Sequence, residues 1–118
     1  MSNEAKNLGE VTLCVSNGYK KKFYLNENFN QLPQSIRDEL KIMCVLYTED
    51  VGGILELVFD EDGTLQFKTS CEENDFLYDE IGSVLKIKQY QNEKRDLLEA
   101  LEMFYRIIYL GEGFDEED

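Results

Sequence analysis

The sequence predicts an α+β fold: two antiparallel β-hairpins form a four-stranded sheet packed against two helices, in the order ββαββα. Three observations carry this. Residues 55–68 alternate apolar and polar side chains on either side of Asp62-Gly63, the pattern of a half-buried hairpin. Val11, Leu13 and Val15 alternate with Thr12, Cys14 and Ser16 just before Asn17-Gly18, a second turn signal. Residues 33–51 and 76–110 instead repeat apolar positions at helical spacing.

Taken in order, residues 1–9 are polar and expected to be frayed. The first hairpin admits two registers. A two-residue Asn17-Gly18 turn would set Leu13 against Lys22 and put Phe23 on the wrong face. A three-residue Ser16-Asn17-Gly18 loop pairs Val15 with Tyr19, Leu13 with Lys21 and Val11 with Phe23. The second register is preferred, because it gathers Val11, Leu13, Val15, Tyr19, Phe23 and Leu25 on one side. It misplaces only Lys21, whose stem can snorkel outward. Residues 26–31 are rich in asparagine and connect to the first helix.

In that helix Pro33 suits the first turn. Ile36, Leu40, Met43, Cys44, Tyr47 and Val51 form one stripe. Ile42, Val45 and Leu46 widen it, so its middle is expected to be covered on more than one side. Gly52 or Gly53 can take the left-handed conformation that ends a helix. The loop Glu61-Asp62-Gly63 then fits a type I turn with a glycine bulge, pairing Asp60 with Thr64, Phe59 with Leu65 and Leu57 with Phe67.

Residues 70–75 are acidic and turn-forming, a fit N-cap region. Residues 76–110 read as helix. Leu77, Ile81, Val84, Leu85 and Lys88 form one stripe; Leu97, Leu98, Leu101, Phe104, Tyr105 and Ile108 form another. A single helix of this length would measure about 50 Å, too long for so small a protein. The alternatives are a break or kink near Asn92, a projecting helix that pairs with a second copy, or an edge strand over residues 84–91. A continuous or kinked helix is favoured. Each half reads as hairpin then helix, a hint of duplication without defensible sequence identity.

The chain has 118 residues, 42% of them hydrophobic. Residues 1–110 are expected to form a single domain, followed by a disordered acidic tail over 111–118. No apolar run is long enough to span a membrane, and the opening MSNEAKNLGE does not resemble a signal peptide. Three widely spaced cysteines, Cys14, Cys44 and Cys71, read as reduced thiols in a cytoplasmic protein.

The formal net charge is −13. Residues 49–80 hold eleven acids and one lysine, whereas residues 1–25 hold four lysines and two glutamates. Such acidity argues against nucleic-acid binding, since phosphates would be repelled. The basic and aromatic run Tyr19-Lys20-Lys21-Lys22-Phe23-Tyr24 therefore reads as an edge strand guarded by lysines.

There is no histidine, which removes histidine triads, Cys-His pairs and histidine metal sites. No CxxC and no glycine-rich phosphate loop occur. Asp60-Glu61-Asp62-Gly63 resembles part of a calcium loop, but Val58 and Thr69 stand where ligands are required. Glu49-Asp50, Glu72-Glu73 and Asp79-Glu80 are carboxylate pairs at helix ends or loops, where a solvated surface is the simpler reading. A weak divalent-cation site between Glu49, Asp50 and Asp79-Glu80 is the sharper one. Glu72 and Glu73 beside Cys71 would raise its pKa and make it a poor nucleophile.

The block KIMCVLYTEDVGGILELVFDEDG, with the later DEIGSVLKIKQ, resembles a family of small bacterial proteins of unknown function, over about Val11 to Leu110. That resemblance implies no activity. The hairpin–helix–hairpin–helix order with its FDEDG turn is similar to roadblock / dynein light chain domains, which are dimeric regulatory scaffolds and often partners of small GTPases. Those usually begin with a helix and carry a third strand before the last helix, and neither is clear here.

The function expected is a non-enzymatic cytoplasmic interaction or regulatory module, homodimeric, with no cofactor and no nucleic-acid or membrane partner. Leu97, Leu101, Phe104, Tyr105 and Ile108 are candidates for a subunit contact, with a core role as the alternative. An acidic inhibitor or immunity-type protein that masks a basic surface would use Glu49, Asp50, Glu72, Glu73, Asp75, Asp79 and Glu80. A divalent-metal enzyme built on these carboxylates is the third reading.

Overall fold

The computed structural model describes residues 9–111, so the start expected to be frayed (1–9) and the expected acidic tail (111–118) lie outside the described residues except for Gly9 and Gly111. Strands β1 (Val11–Asn17), β2 (Lys22–Leu25), β3 (Ile54–Phe59) and β4 (Leu65–Ser70) form one antiparallel sheet in the order β2-β1-β3-β4. Helix α1 (Gln34–Val51) joins the two hairpins, and α2 (Glu80–Glu93) and α3 (Arg95–Ile108) follow. The order is ββαββαα, an α+β fold with three helices where two were expected.

The second hairpin has the expected register, with Phe59 opposite Leu65 and Leu57 opposite Phe67. Gly63 takes the left-handed conformation (φ 84°) and donates its N–H to the Asp60 carbonyl. Asp60 also accepts through its side chain from the N–H groups of Asp62 and Thr64, both at 2.9 Å. These bonds favour the carboxylate and hold its pKa below the ordinary value.

The first hairpin departs from expectation in two ways. Its loop has four residues, 18–21, so Val15 pairs with Tyr24 and Cys14 with Leu25. The Asn17 side chain explains the loop: its carbonyl oxygen accepts from the N–H groups of Tyr19 and Lys20 and makes an Asx turn. In addition, the ladder between β1 and β3 shifts between Thr12 and Cys14, leaving Leu13 as a bulge. Alternation is therefore offset by one beyond the bulge: Leu13 is buried as expected, but Cys14 and Ser16 are buried after it while Val15 is not. β2 is an edge strand, and Lys22 belongs to it. The two turns thus differ in length and chemistry, which removes the basis for a duplication.

The core lies between one sheet face and α1 and α3. Leu55, Leu57 and Phe59 meet Leu40, Met43, Cys44 and Tyr47 from α1 and Leu97, Leu98, Leu101 and Tyr105 from α3. An aromatic stack runs through it: the rings of Phe59 and Tyr105 are 4.3 Å apart and nearly parallel, and Phe29 stacks on both Phe59 and Tyr109. Phe29, from a short 3-10 turn over Glu27–Phe29, is fully buried.

The long C-terminal helix breaks at Lys94 (φ −105°, ψ 25°). Its N–H still donates to Tyr90 and its carbonyl still accepts from Leu98, so the chain turns with little loss of hydrogen bonding. The break lets α2 lie along α1 while α3 packs on the sheet. Residues 84–91 are helix, not an edge strand. Residues 76–79 are not helical; α2 starts later, where the Asp79 carboxylate accepts from the Gly82 N–H at 2.7 Å.

Candidate functional site

The outward face of α2 is the most unusual surface. A helix of a folded protein normally buries its apolar stripe. In α2 the buried residues are Ser83 and Tyr90, while Ile81, Val84 and Leu85 are 75%, 54% and 62% exposed. Phe76 and Leu77, in the preceding loop, are more than nine-tenths exposed. Five large apolar side chains thus reach solvent within ten consecutive residues.

Buried hydroxyls fix this orientation. The Ser83 hydroxyl bonds to the Tyr47 hydroxyl and accepts from the Tyr78 hydroxyl at 3.1 Å. Tyr47 is fully buried, and burial pushes its pKa up to about 12. Ser83 must therefore face α1, where its partners lie, and helical geometry then turns Ile81, Val84 and Leu85 away. Lys86 pairs with Asp50 at 2.9 Å and Lys94 with Glu39 at 3.6 Å, two further ties between α2 and α1. The hydrogen bond that Lys86 donates to Asp50 holds the Lys86 pKa above its ordinary value.

The loop before α2 is also pinned. The Tyr19 hydroxyl donates to Asp75 at 2.5 Å and accepts from the Glu72 N–H at 2.9 Å. Asp75 also accepts from the Leu77 N–H. The Tyr78 ring covers Gly53, where a Cβ would lie 2.6 Å from Cε1 of that ring and 2.6 Å from the Ser70 carbonyl oxygen. These contacts explain why residues 76–79 stay out of the helix.

The seven acids singled out in the sequence do not converge. Asp50 is engaged by Lys86, Asp75 by Tyr19 and Asp79 by its helix cap. Glu49 lies on the other flank of α1, in a groove beside the first hairpin. Glu72, Glu73 and Glu80 are exposed and flank Phe76 and Leu77 in the sequence. Among the described residues no three His, Cys, Asp or Glu side chains are grouped to hold a metal ion. The five apolar residues named for a subunit contact divide as well. Leu97, Leu101 and Tyr105 are buried in the core, Phe104 packs against it, and Ile108 is 56% exposed.

The sequence shows the stripe Leu77-Ile81-Val84-Leu85-Lys88 but does not say whether it is covered. The signal that bears on this is the polar middle of residues 86–96. That segment separates two apolar stripes, and one sheet face already receives α1. Ile42 and Leu46, expected to widen the covered face of α1, are instead 58% and 51% exposed.

A groove of about 450 Å³ lies between the first hairpin and α1. Lys21, Lys22 and Lys41 line it together with Glu49, Phe23 and Val45. At its floor the Ser16 and Thr48 hydroxyls are 2.9 Å apart.

Fold and surface together define an acidic α+β protein with an antiparallel sheet and a helix whose apolar face is open. The chain belongs to a family of unknown function, DUF6145, which it matches over residues 10–113. No match is found among the curated proteins or the solved structures. The similarity to roadblock domains therefore gains no support from these comparisons. No helix among the described residues is long and apolar enough to cross a membrane.

Proposed function

We propose that this protein is a non-enzymatic interaction module whose contact surface is the face made by Phe76, Leu77, Ile81, Val84 and Leu85, and that its first partner is a second copy of itself. The observation that carries this is the exposure of all five side chains. Burying an apolar side chain of this size stabilises by about 1.5–3 kcal/mol. Five that are more than half exposed leave on the order of 5–10 kcal/mol available, comparable to the cost of association. Ile81, Val84, Leu85 and Lys88 follow the i, i+3, i+4, i+7 spacing of a helix–helix seam. Antiparallel pairing about Val84 and Leu85 would set Lys88 of each copy near Glu80 of the other and keep the two acidic loops apart. Closed two-fold pairing is the commonest oligomer geometry.

Glu72, Glu73 and Glu80 beside Phe76 and Leu77 favour a second reading, in which the same face receives a basic, apolar segment of another protein. Salt separates the two. With a charge of −13 per copy, self-association strengthens as salt screens repulsion, whereas binding to a basic partner weakens. Equilibrium sedimentation of the full chain at low and raised salt tests the proposal. A dimer that tightens with salt supports it, and a monomer at both salts, well above micromolar concentration, refutes self-pairing.

A further inference from the structure

We infer that the groove between the first hairpin and α1 is a binding site for a small organic phosphate monoester, a site separate from the α2 face. Four observations lead there. First, the groove gathers Lys21, Lys22 and Lys41 on a chain with 25 acidic and 12 basic residues. Among the described residues none of the three is in an ion pair, whereas Lys68, Lys86 and Lys94 each have one.

Second, the charge matches one ligand class. The lining residues Lys21, Lys22 and Lys41 against Glu49 give the groove two net positive charges, and a phosphate monoester carries nearly two negative ones at neutral pH. Lysine is a common phosphate ligand, acting as a point charge. Third, the volume of about 450 Å³ falls in the range of small-molecule sites and far exceeds what a bare phosphate fills. Phe23 and Val45 supply an apolar wall for the organic part.

Fourth, Lys21 has φ 53°, the only positive value at a non-glycine residue among those described. Glycine or asparagine would adopt that conformation at lower cost. Strain of this kind clusters at functional sites, and here it sets a lysine in the wall of the groove. The surrounding backbone is fixed: the Gly18 N–H donates to the Gly53 carbonyl at 2.8 Å, and a Cβ at Gly18 would lie 2.8 Å from that oxygen. The hairpin is thereby clamped against the end of α1.

The test is titration of the isotopically labelled full chain with phenyl phosphate, adenosine 5′-monophosphate and inorganic phosphate at low ionic strength, followed by backbone amide shifts. At least one of the two organic esters should bind more tightly than inorganic phosphate, with shifts centred on Gly18, Lys22 and Thr48. Lys41→Gln and Lys21→Gly should each weaken binding about tenfold, the loss of one charge-assisted contact. Glu49→Gln, which removes the opposing carboxylate, should tighten it several-fold. That variant moves affinity in the opposite direction, so a lysine variant that fails to fold leaves the proposal testable. Absence of saturable shifts with all three probes, shifts elsewhere on the surface, or affinities indifferent to these substitutions would overturn the proposal. Inorganic phosphate binding as tightly as both esters would overturn the organic part of it.

Discussion

Replacing Lys21 by glycine should make this protein more stable, an uncommon outcome for a point substitution. A left-handed conformation costs a side-chain-bearing residue roughly 1–2 kcal/mol, and Lys21 holds it at φ 53°. Glycine escapes that cost but loses about 0.5–1 kcal/mol through the greater freedom of its unfolded chain. The Lys21 ammonium is exposed and has no ion pair among the described residues, so little else is forfeited. The net gain is about 0.5–1 kcal/mol, which for a chain of this size raises Tm by roughly 2–6 °C. Lys21→Ala is the control: it removes the charge and keeps the strain, and should stay within about 0.5 kcal/mol of the unsubstituted protein. Urea and thermal unfolding of the three proteins, followed by far-UV circular dichroism, reads the difference. A Lys21→Gly variant no more stable than Lys21→Ala would refute the reasoning and remove strain as an argument for the groove.

Other substitutions probe the frame that carries the two surfaces. Gly53→Ala combines a left-handed φ of 73° with contacts of 2.6 Å to Ser70 and Tyr78. It should cost about 2–4 kcal/mol in urea unfolding. Leu101→Ala, at a position 1% exposed, should cost about 2–5 kcal/mol; a loss below about 1 kcal/mol would place Leu101 at a surface contact instead of the core. Tyr47 has a folded pKa pushed up to about 12 from 10.0. Its contribution is complete below the unfolded value and is lost as pH rises through that window, by on the order of 2–3 kcal/mol. Urea midpoints taken across that range should fall more steeply for the unsubstituted protein than for Tyr47→Phe. Asp60 is shifted downward, chiefly by the Thr64 N–H. Its contribution is therefore present above the ordinary carboxylate pKa and lost as pH falls through the folded one. Asp60→Asn should flatten the acid limb of a stability–pH curve.

The parts of the fold legible in the sequence are those governed by neighbouring residues. The Asp60–Thr64 turn is local chemistry, with Gly63 at the one position needing positive φ, and its register followed. The stripe of α1 and its end at Gly52 are legible for the same reason. The first hairpin was not, because a bulge at Leu13 and the Asx turn of Asn17 each shift the ladder, and neither alters the apolar–polar pattern. Phe29 falls in the asparagine-rich connection, and its burial depends on Phe59 and Tyr109, which are distant in sequence. The two surfaces were the hardest to see. Whether the Ile81 stripe is covered depends on Ser83 reaching Tyr47. That Lys41 joins Lys21 and Lys22 depends on Gly18 meeting Gly53. Both are contacts between residues more than thirty positions apart.

The central claim is that the open face of α2 is an interface, and the molecular mass in solution tests it most directly. Sedimentation equilibrium at raised salt should show the unsubstituted chain as a dimer and the Ile81→Lys/Leu85→Lys variant as a monomer. The added lysines lower the net negative charge, so dissociation of that variant comes from charge placed in the seam and not from greater overall repulsion between copies. A monomeric unsubstituted chain well above micromolar concentration, or a variant that stays dimeric, would contradict the account.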